Sequence, residues 1–146
     1  MRVAEALHWR SGDNVVITAP ECPSNVPPGS ICASSVWRYA SFPREGRILA
    51  EDIAARMDAR TRLLSLSFVE SDTGFRNDLP AMAHLAHLAH NRGALSCMDG
   101  IQGLGALQLD VRACDIDFLG AGSPKWLLGP SHVGLLYVRL ELLAEP

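Results

Sequence analysis

Short apolar runs separated by amphipathic segments constrain the fold of this chain more than any other feature. Residues 14–18 and 62–69 are mostly apolar, and runs of this kind form buried strands of a parallel sheet. Residues 49–59 and 79–92 instead carry apolar side chains at helical spacing. The alternation predicts an α/β fold, a three-layer sandwich with a mostly parallel sheet and helices on both faces.

The same patterns predict the remaining helices and strands. The helix over 79–92 is expected to begin after Asp78, a favourable N-cap, with Pro80 in the first turn and Gly93 ending it. The other predicted elements are a helix over residues 1–9, strands over 36–42, 94–98, 117–121 and 133–139, and a short helix over 102–107.

Composition argues against several classes of protein. The chain has 146 residues, enough for one domain, and a formal net charge of −3, which gives no basic surface for nucleic acid. No apolar run approaches the roughly 18 residues that a membrane span requires, and no signal peptide is evident. The four cysteines form no C-x-x-C pair, so neither a zinc site nor a redox dithiol is indicated. A cytoplasmic protein is expected.

Three polar residues follow predicted strands in the second half of the chain. Asp99 ends one apolar run, Gln102 lies three residues later, and Lys125 follows the next run. A lysine that forms a Schiff base, with an acid to protonate a ring nitrogen, marks enzymes of pyridoxal 5'-phosphate (PLP). The apolar neighbours of Lys125 would favour its neutral amine. Alternatively, Lys125 is a surface lysine and Asp99 caps the following turn.

These residues fall within a longer series of motifs. The sequence resembles the class V aminotransferase family, the fold-type I PLP group that includes cysteine desulfurases, selenocysteine lyases and isopenicillin N epimerases. The resemblance implies the large-domain core of a PLP-dependent transferase. Its motifs are Glu21-Cys-Pro-Ser-Asn25, Phe42-Pro-Arg-Glu-Gly-Arg47, Ser71-Asp-Thr-Gly-Phe-Arg76, Asp99-Gly-Ile-Gln102, Asp117-Phe-Leu, Lys125-Trp126 and Gly129-Pro130.

The resemblance also implies roles for individual residues. Lys125 would bond to the cofactor aldehyde and then move protons at the α-carbon of an amino acid. Asp99 would keep the ring nitrogen protonated, and Gln102 would hold the ring hydroxyl. Ser123 would replace part of the usual phosphate contacts. Cys22 stands where relatives pack a side chain on the ring.

Substrate contacts and the reaction branch are implied less directly. Asn25 and Arg76 are the candidate substrate-binding residues, with a surface salt bridge from Arg76 to Asp72 or Asp78 as the alternative. The Pro-Ser-Asn and Gly-Phe-Arg segments favour an epimerase-like branch. Desulfurase chemistry is disfavoured, because the thiol of Cys22 cannot serve as an imidazole base. Lyase, desulfurase and transaminase reactions stay open.

Family enzymes have longer chains than this one. Residues 1–146 are therefore expected to be a partial large, cofactor-binding domain, without the N-terminal segment and the C-terminal small domain. Because the family's site lies at a subunit interface, a homodimer that acts on a small amino acid is expected. The alternative is a non-catalytic remnant or truncated fragment that keeps the fold or dimerises. A third alternative is a nucleotide-binding module, which the imperfect glycine motifs at residues 103–105 and 120–125 favour less than the first two alternatives are favoured.

Three histidines recur on the predicted helix over 79–92. His84, His87 and His90 stand at i, i+3 and i+6, and such spacing drifts around a helix by about 60° per step. The three rings therefore cannot easily converge on one metal ion. A solvated helix face is predicted, and no metal site is expected.

Overall fold

The computed structural model describes residues 2–19, 36–41 and 49–143. Helices and strands alternate through most of these ranges, as the apolar runs predict. In chain order the elements are α1 (Arg2–Ala6), β1 (Asn14–Ala19), β2 (Val36–Ser41), α2 (Ala50–Arg56), β3 (Thr61–Ser67), α3 (Leu79–His90), β4 (Leu95–Asp99), β5 (Phe118–Gly122), β6 (Gly134–Val138) and α4 (Leu140–Leu143).

The strands of the described ranges form one sheet in the order β2-β1-β3-β4-β5-β6. All neighbouring pairs are parallel except β5 and β6, which are antiparallel. The prediction of a mostly parallel sheet is confirmed. Because the parallel strands end at one edge, the loops that follow β3, β4 and β5 are brought side by side there.

Alternate strand residues enter two separate cores. Val16, Leu64 and Met98 pack with α2 and α3 on one face of the sheet. Val15 and Leu63 pack with α1 and residues near α4 on the other face. Apolar side chains on both faces explain why the strand sequences lack a polar alternation. The three-layer prediction is confirmed.

The start of α3 follows its sequence signals. The Asp78 carboxylate accepts a hydrogen bond from the backbone N–H of Ala81 at 2.7 Å, and Pro80 lies in the first turn. The helix ends at His90, two residues before the predicted end. Gly93 then adopts a φ of +73°, a conformation that glycine adopts without steric cost.

The short helix predicted over residues 102–107 is wrong. This segment consists of tight turns, in which Leu104 N–H donates to Gly100 O at 2.8 Å and Leu107 N–H donates to Gly103 O at 2.9 Å. Gly105 interrupts any helix there with a φ of +97°. The first helix is also shorter than predicted: α1 ends at Ala6 rather than residue 9.

No helix within the described ranges is long and apolar enough to span a membrane.

Candidate functional site

Asp99 lies at the centre of the carboxyl edge of the sheet. It is the last residue of β4 and pairs with Ser67 of β3 on one side and Gly120 of β5 on the other. The backbone continues these contacts, since Phe68 N–H donates to Asp99 O at 2.9 Å and Gly100 N–H donates to Gly120 O at 2.8 Å. In open α/β sheets, ligands bind outside this edge.

The Asp99 carboxylate also organises the turn that follows it. Its Oδ1 accepts a hydrogen bond from the backbone N–H of Ile101 at 2.8 Å. Asp99 and Gln102 are both half-buried. The turn-capping role considered from the sequence is therefore present, and it fixes the start of the segment that carries Gln102.

The turn after β4 contacts the loop after β5 through two glycines. A Cβ at Gly122 would lie 3.1 Å from Ile101 Cδ1, and a Cβ at Gly105 would lie 2.6 Å from the backbone oxygen of Trp126. Only glycine permits the second approach, because a side chain would overlap the backbone. The segment with Asp99 and Gln102 thus packs directly on the segment with Lys125.

Ser123 closes the loop that carries Lys125. Its buried hydroxyl donates to Pro130 O at 2.5 Å, its backbone oxygen accepts from Gly129 N–H at 2.9 Å, and its N–H donates to Val133 O at 2.9 Å. The hydroxyl hydrogen is therefore used within the loop, while the oxygen can still accept a hydrogen bond. The role of Ser123 as a cofactor contact stays a prediction.

Lys125 and its neighbours face solvent. Lys125 is exposed, and the exposed fractions of Trp126 and Leu128 are 57% and 89%. Within the described ranges the apolar neighbours of Lys125 in the sequence do not cover its amine, because they are themselves exposed. The role of Lys125 as a Schiff-base lysine stays a prediction.

The loop after β3 contains a buried acid that the sequence analysis did not single out. Glu70 is 2% exposed, and its Oε1 accepts from Asn77 Nδ2 at 3.0 Å, which also donates to Ser67 O at 2.9 Å. An acid directly after an apolar strand was the available signal. Glu70 ties this loop to the end of β3.

Arg76 lies in the same loop and is exposed. Among the described residues it forms no salt bridge with Asp72 or Asp78, and Asp78 instead caps α3. That alternative is wrong, and substrate binding by Arg76 stays a prediction. Cys22 and Asn25 lie outside the described residues.

No cluster of three or more potential metal ligands occurs within the described ranges.

Comparison with known proteins finds a matching family and similar sequences along nearly the whole chain. Residues 2–146 match the family described as Aminotransferase class-V. A cysteine desulfurase from Salmonella dublin is 36% identical over 139 residues, which are 93% of this chain and 33% of that protein. The chain therefore spans about a third of the length of the curated relatives it matches.

Solved structures agree with the sequence match. The Escherichia coli cysteine desulfurase has a TM-score of 0.83 and 26% identity, with coverage of 97% of this chain and 35% of that one. The C-DES protein, solved as a mutant with glycine covalently linked to its PLP cofactor, has a TM-score of 0.84 and 26% identity, with coverage of 98% and 39%.

Proposed function

The chain belongs to the class V aminotransferase family, and we propose that it is a PLP-dependent enzyme, or part of one, that acts on an amino acid. The observation that carries the proposal is the contact between two segments at the carboxyl edge of the sheet. One segment bears Asp99 and Gln102, and the other bears Lys125. This contact between the two segments supports a site in which an acid, an amide and an amine act together.

The chemistry of these side chains fits the cofactor. A carboxylate suits a ring nitrogen that must stay protonated, an amide N–H suits a ring hydroxyl oxygen, and a primary amine suits an aldehyde. When bound, PLP supplies an electron-accepting ring that stabilises negative charge at the α-carbon of an amino acid. The half-buried position of Asp99 strengthens its interaction with a ring N–H, because water screens it less there.

In this proposal each residue has one task. Lys125 carries the amine for the cofactor aldehyde and then takes up and returns a proton at the substrate α-carbon. Asp99 accepts the ring N–H, and Gln102 donates to the ring hydroxyl oxygen. Ser123 would donate its hydroxyl hydrogen to the cofactor phosphate in exchange for its hydrogen bond to Pro130 O, and Cys22 packs against the ring.

Substrate recognition falls to Arg76 and Asn25. The exposed guanidinium of Arg76 suits the carboxylate of an amino acid, which it can bind in a bidentate manner. The reaction branch is proposed as epimerase or lyase/desulfurase type. The motif segments favour the former, and the relatives named cysteine desulfurase favour the latter. A cytoplasmic homodimer is proposed as the working form.

A second candidate function is favoured by the exposure of the lysine loop. Because Lys125, Trp126 and Leu128 all face solvent within the described ranges, the described residues do not exclude water from the amine. A non-catalytic remnant or fragment, which keeps the fold or dimerises without turnover, is consistent with that exposure.

The experiment uses the fact that Lys125 is the single lysine of this sequence. The protein is mixed with increasing PLP, reduced with borohydride and digested, and the phosphopyridoxyl group is located by mass spectrometry. We expect saturable labelling of Lys125 at PLP concentrations that leave the amino terminus unlabelled. A Lys125→Ala variant should lose the label, and Asp99→Asn should raise the PLP concentration required.

Two controls make the result decisive. Pyridoxal, which lacks the phosphate, should label Lys125 only at much higher concentration if a phosphate site is present. If Lys125 and the amino terminus instead label in parallel with PLP, Lys125 is merely an accessible amine. The catalytic proposal would then fail for this chain, and the non-catalytic candidate would replace it.

A further inference from the structure

Two residues of the segment between β5 and β6 adopt a backbone conformation that is unfavourable for their type. Leu128 has a φ of +52° and His132 has a φ of +67°. In this left-handed region the Cβ of any residue other than glycine crowds a neighbouring carbonyl oxygen. Both residues belong to the lysine loop, which we define as residues 124–132 and which carries Lys125.

The side chains of these two residues do not compensate for the strain. Leu128 is 89% exposed, so it gains almost nothing from burial, and His132 is exposed as well. A strained backbone persists where the surrounding structure imposes it. The cause of the strain must therefore lie in the contacts that the backbone of the lysine loop makes.

Ser123 provides these contacts at the base of the lysine loop. Its N–H donates to Val133 O and its backbone oxygen accepts from Gly129 N–H, each at 2.9 Å. Its hydroxyl donates to Pro130 O at 2.5 Å. A Cβ at Gly129 would lie 2.8 Å from Ser123 Cβ, so the returning backbone packs directly on this side chain. Ser123 thus acts as a clasp that keeps the lysine loop in its strained form.

The hydroxyl bond is the part of this clasp that can be exchanged. A serine hydroxyl rotates and has a single hydrogen to donate. Pro130 is exposed, so water can replace the hydroxyl at its carbonyl oxygen. The backbone groups of Ser123 lack this freedom, because the residue is buried and a buried group left without its hydrogen bond is strongly unfavourable.

We propose that the lysine loop has two arrangements and that the Ser123 hydroxyl switches between them. In the clasped arrangement the hydroxyl donates to Pro130 O, and Leu128 is held in the left-handed region. In the released arrangement the hydroxyl donates to the cofactor phosphate, and the backbone at Leu128 relaxes. This inference rests on the proposed function, in which the same hydroxyl binds that phosphate. The phosphate thereby frees the segment that carries Lys125 to settle against the cofactor.

The strain at Leu128 favours release, because relaxation offsets part of the hydrogen bond that is lost. Removing the strain should therefore stabilise the clasped arrangement and weaken, by the same factor, any ligand that requires the released one. Leu128→Asn removes strain, since asparagine adopts the left-handed region more readily than leucine. Leu127→Asn is the matched control, because Leu127 is also exposed but lies outside the left-handed region.

The first measurement is proteolysis at the single lysine of the chain. A lysine-specific protease cuts after Lys125, and cutting requires the lysine loop to open locally. We expect Ser123→Ala to be cut about fivefold faster, the effect of one lost hydrogen bond. Leu128→Asn should be cut roughly fivefold more slowly, and Leu127→Asn at the parent rate.

Each rate is divided by that of a synthetic peptide with the same loop sequence, which corrects for changes to the cleavage site itself. Equal corrected rates for Leu128→Asn and Leu127→Asn would overturn the proposal, as would an unchanged rate for Ser123→Ala. If Ser123→Ala does not fold, the comparison of the two asparagine variants decides.

The second measurement links the lysine loop to the phosphate. The concentrations of PLP and of pyridoxal that half-label Lys125 under borohydride are determined for the parent and the two asparagine variants. Leu128→Asn should raise the PLP value by the factor by which it slows cutting. It should leave the pyridoxal value unchanged, because pyridoxal has no phosphate to take the hydroxyl. An equal change for both aldehydes, or no change, would contradict the switch.

Failure of the proposed function has a different signature. Parallel labelling of Lys125 and the amino terminus in the parent would remove that function, and with it the phosphate as the trigger of release, whatever the proteolysis shows. Saturable labelling of the parent with unchanged values in Leu128→Asn would retain the proposed function and remove the switch alone.

Discussion

The amino ends and the carboxyl ends of β4 and β5 differ in how their charged side chains are paired. At the amino ends, His90, Asp117 and Arg139 are joined with Asp115 in a ring of hydrogen bonds and ion pairs. At the carboxyl ends, Asp99 caps a turn, and Lys125 is exposed on a loop that projects from the sheet. The two ends are separated by the length of one short strand.

The difference separates an edge whose charges are paired within the protein from the edge at which we propose that the cofactor binds. Buried charges must be paired within the protein, because an unpaired charge in a poorly hydrated environment is strongly unfavourable. At the amino edge the carboxylates are paired with His90 and Arg139 of the same chain. The carboxyl edge instead holds an amine in contact with solvent, where a cofactor could reach it.

The largest expected effect is on the stability provided by the amino edge. Asp117→Asn removes the charge that His90 and Arg139 share, so we expect the free energy of unfolding to fall by about 3 to 5 kcal/mol. Asp99→Asn, at the opposite end of the same pair of strands, should lower it by only about 1 kcal/mol. Urea unfolding at pH 7 measures both. Similar losses for the two variants would remove the distinction between the edges.

The next effect concerns the contact that brings the two site segments together. Gly105→Ala places a Cβ against the backbone of Trp126 at a φ of +97°, and we expect a loss of stability of about 2 kcal/mol. Gly74→Ala is the matched control, since Gly74 has a φ of +69° with no atom within 4 Å of the added Cβ, and about 1 kcal/mol is expected there.

Borohydride labelling separates these two glycine variants further. Labelling of Lys125 by PLP should weaken in Gly105→Ala and stay unchanged in Gly74→Ala. Equal labelling in both would mean that the contact between the segments does not position Lys125.

A smaller effect is expected when the amino edge is titrated with acid. Because the pKa of Asp115 is lowered in the folded state, its ionised form stabilises the fold above pH 3.8, and this contribution is lost as the pH falls below that value. The stability difference between the parent and Asp115→Asn should therefore shrink from pH 5 to pH 3. A difference that stays constant from pH 5 to pH 3 would contradict this prediction. Urea unfolding across this range is the measurement.

The last expected effect is kinetic and concerns the strand between the two edges. Burial is the main reason why the pKa of the Cys97 thiol on β4 is raised to about 12. Because the thiolate is the reactive form, alkylation at pH 8 should be at least about a hundredfold slower in the folded chain than in urea. Peptide mapping after iodoacetamide treatment measures this rate. Rapid labelling of Cys97 in the folded chain would show that β4 opens readily.

Much of the fold was predictable because the sequence patterns that specify its helices and strands lie within short stretches of the chain. The apolar runs predicted each described strand to within about two residues, and Asp78 with Pro80 fixed the start of α3. The turns after β4 were mistaken for a helix, since Gly105 requires its left-handed backbone only when the loop after β5 packs on it. The positions of Cys22 and Asn25 lie outside the described residues, so their roles stay predictions.

The candidate site was predictable in part for the same reason. The order of Asp99, Gln102 and Lys125 along the chain indicated the cofactor, and the family match agrees with that indication. The exposure of Lys125 was not predictable, because apolar neighbours in sequence can pack over a side chain or project away from it. The helix face of His84, His87 and His90 was predicted to be solvated, which is wrong for His90.

The sequence by itself determined the succession of elements, the three-layer sheet and the residues that identify the family. Each of these depends on the spacing of residue types along short stretches of chain. Tertiary structure alone decided that His90 would meet Asp117, 27 residues away, and that Gly105 would contact Trp126. Such contacts arise where the end of a helix or a turn reaches a distant strand. Their energies depend on the distance and burial of the paired groups, which residue spacing does not specify.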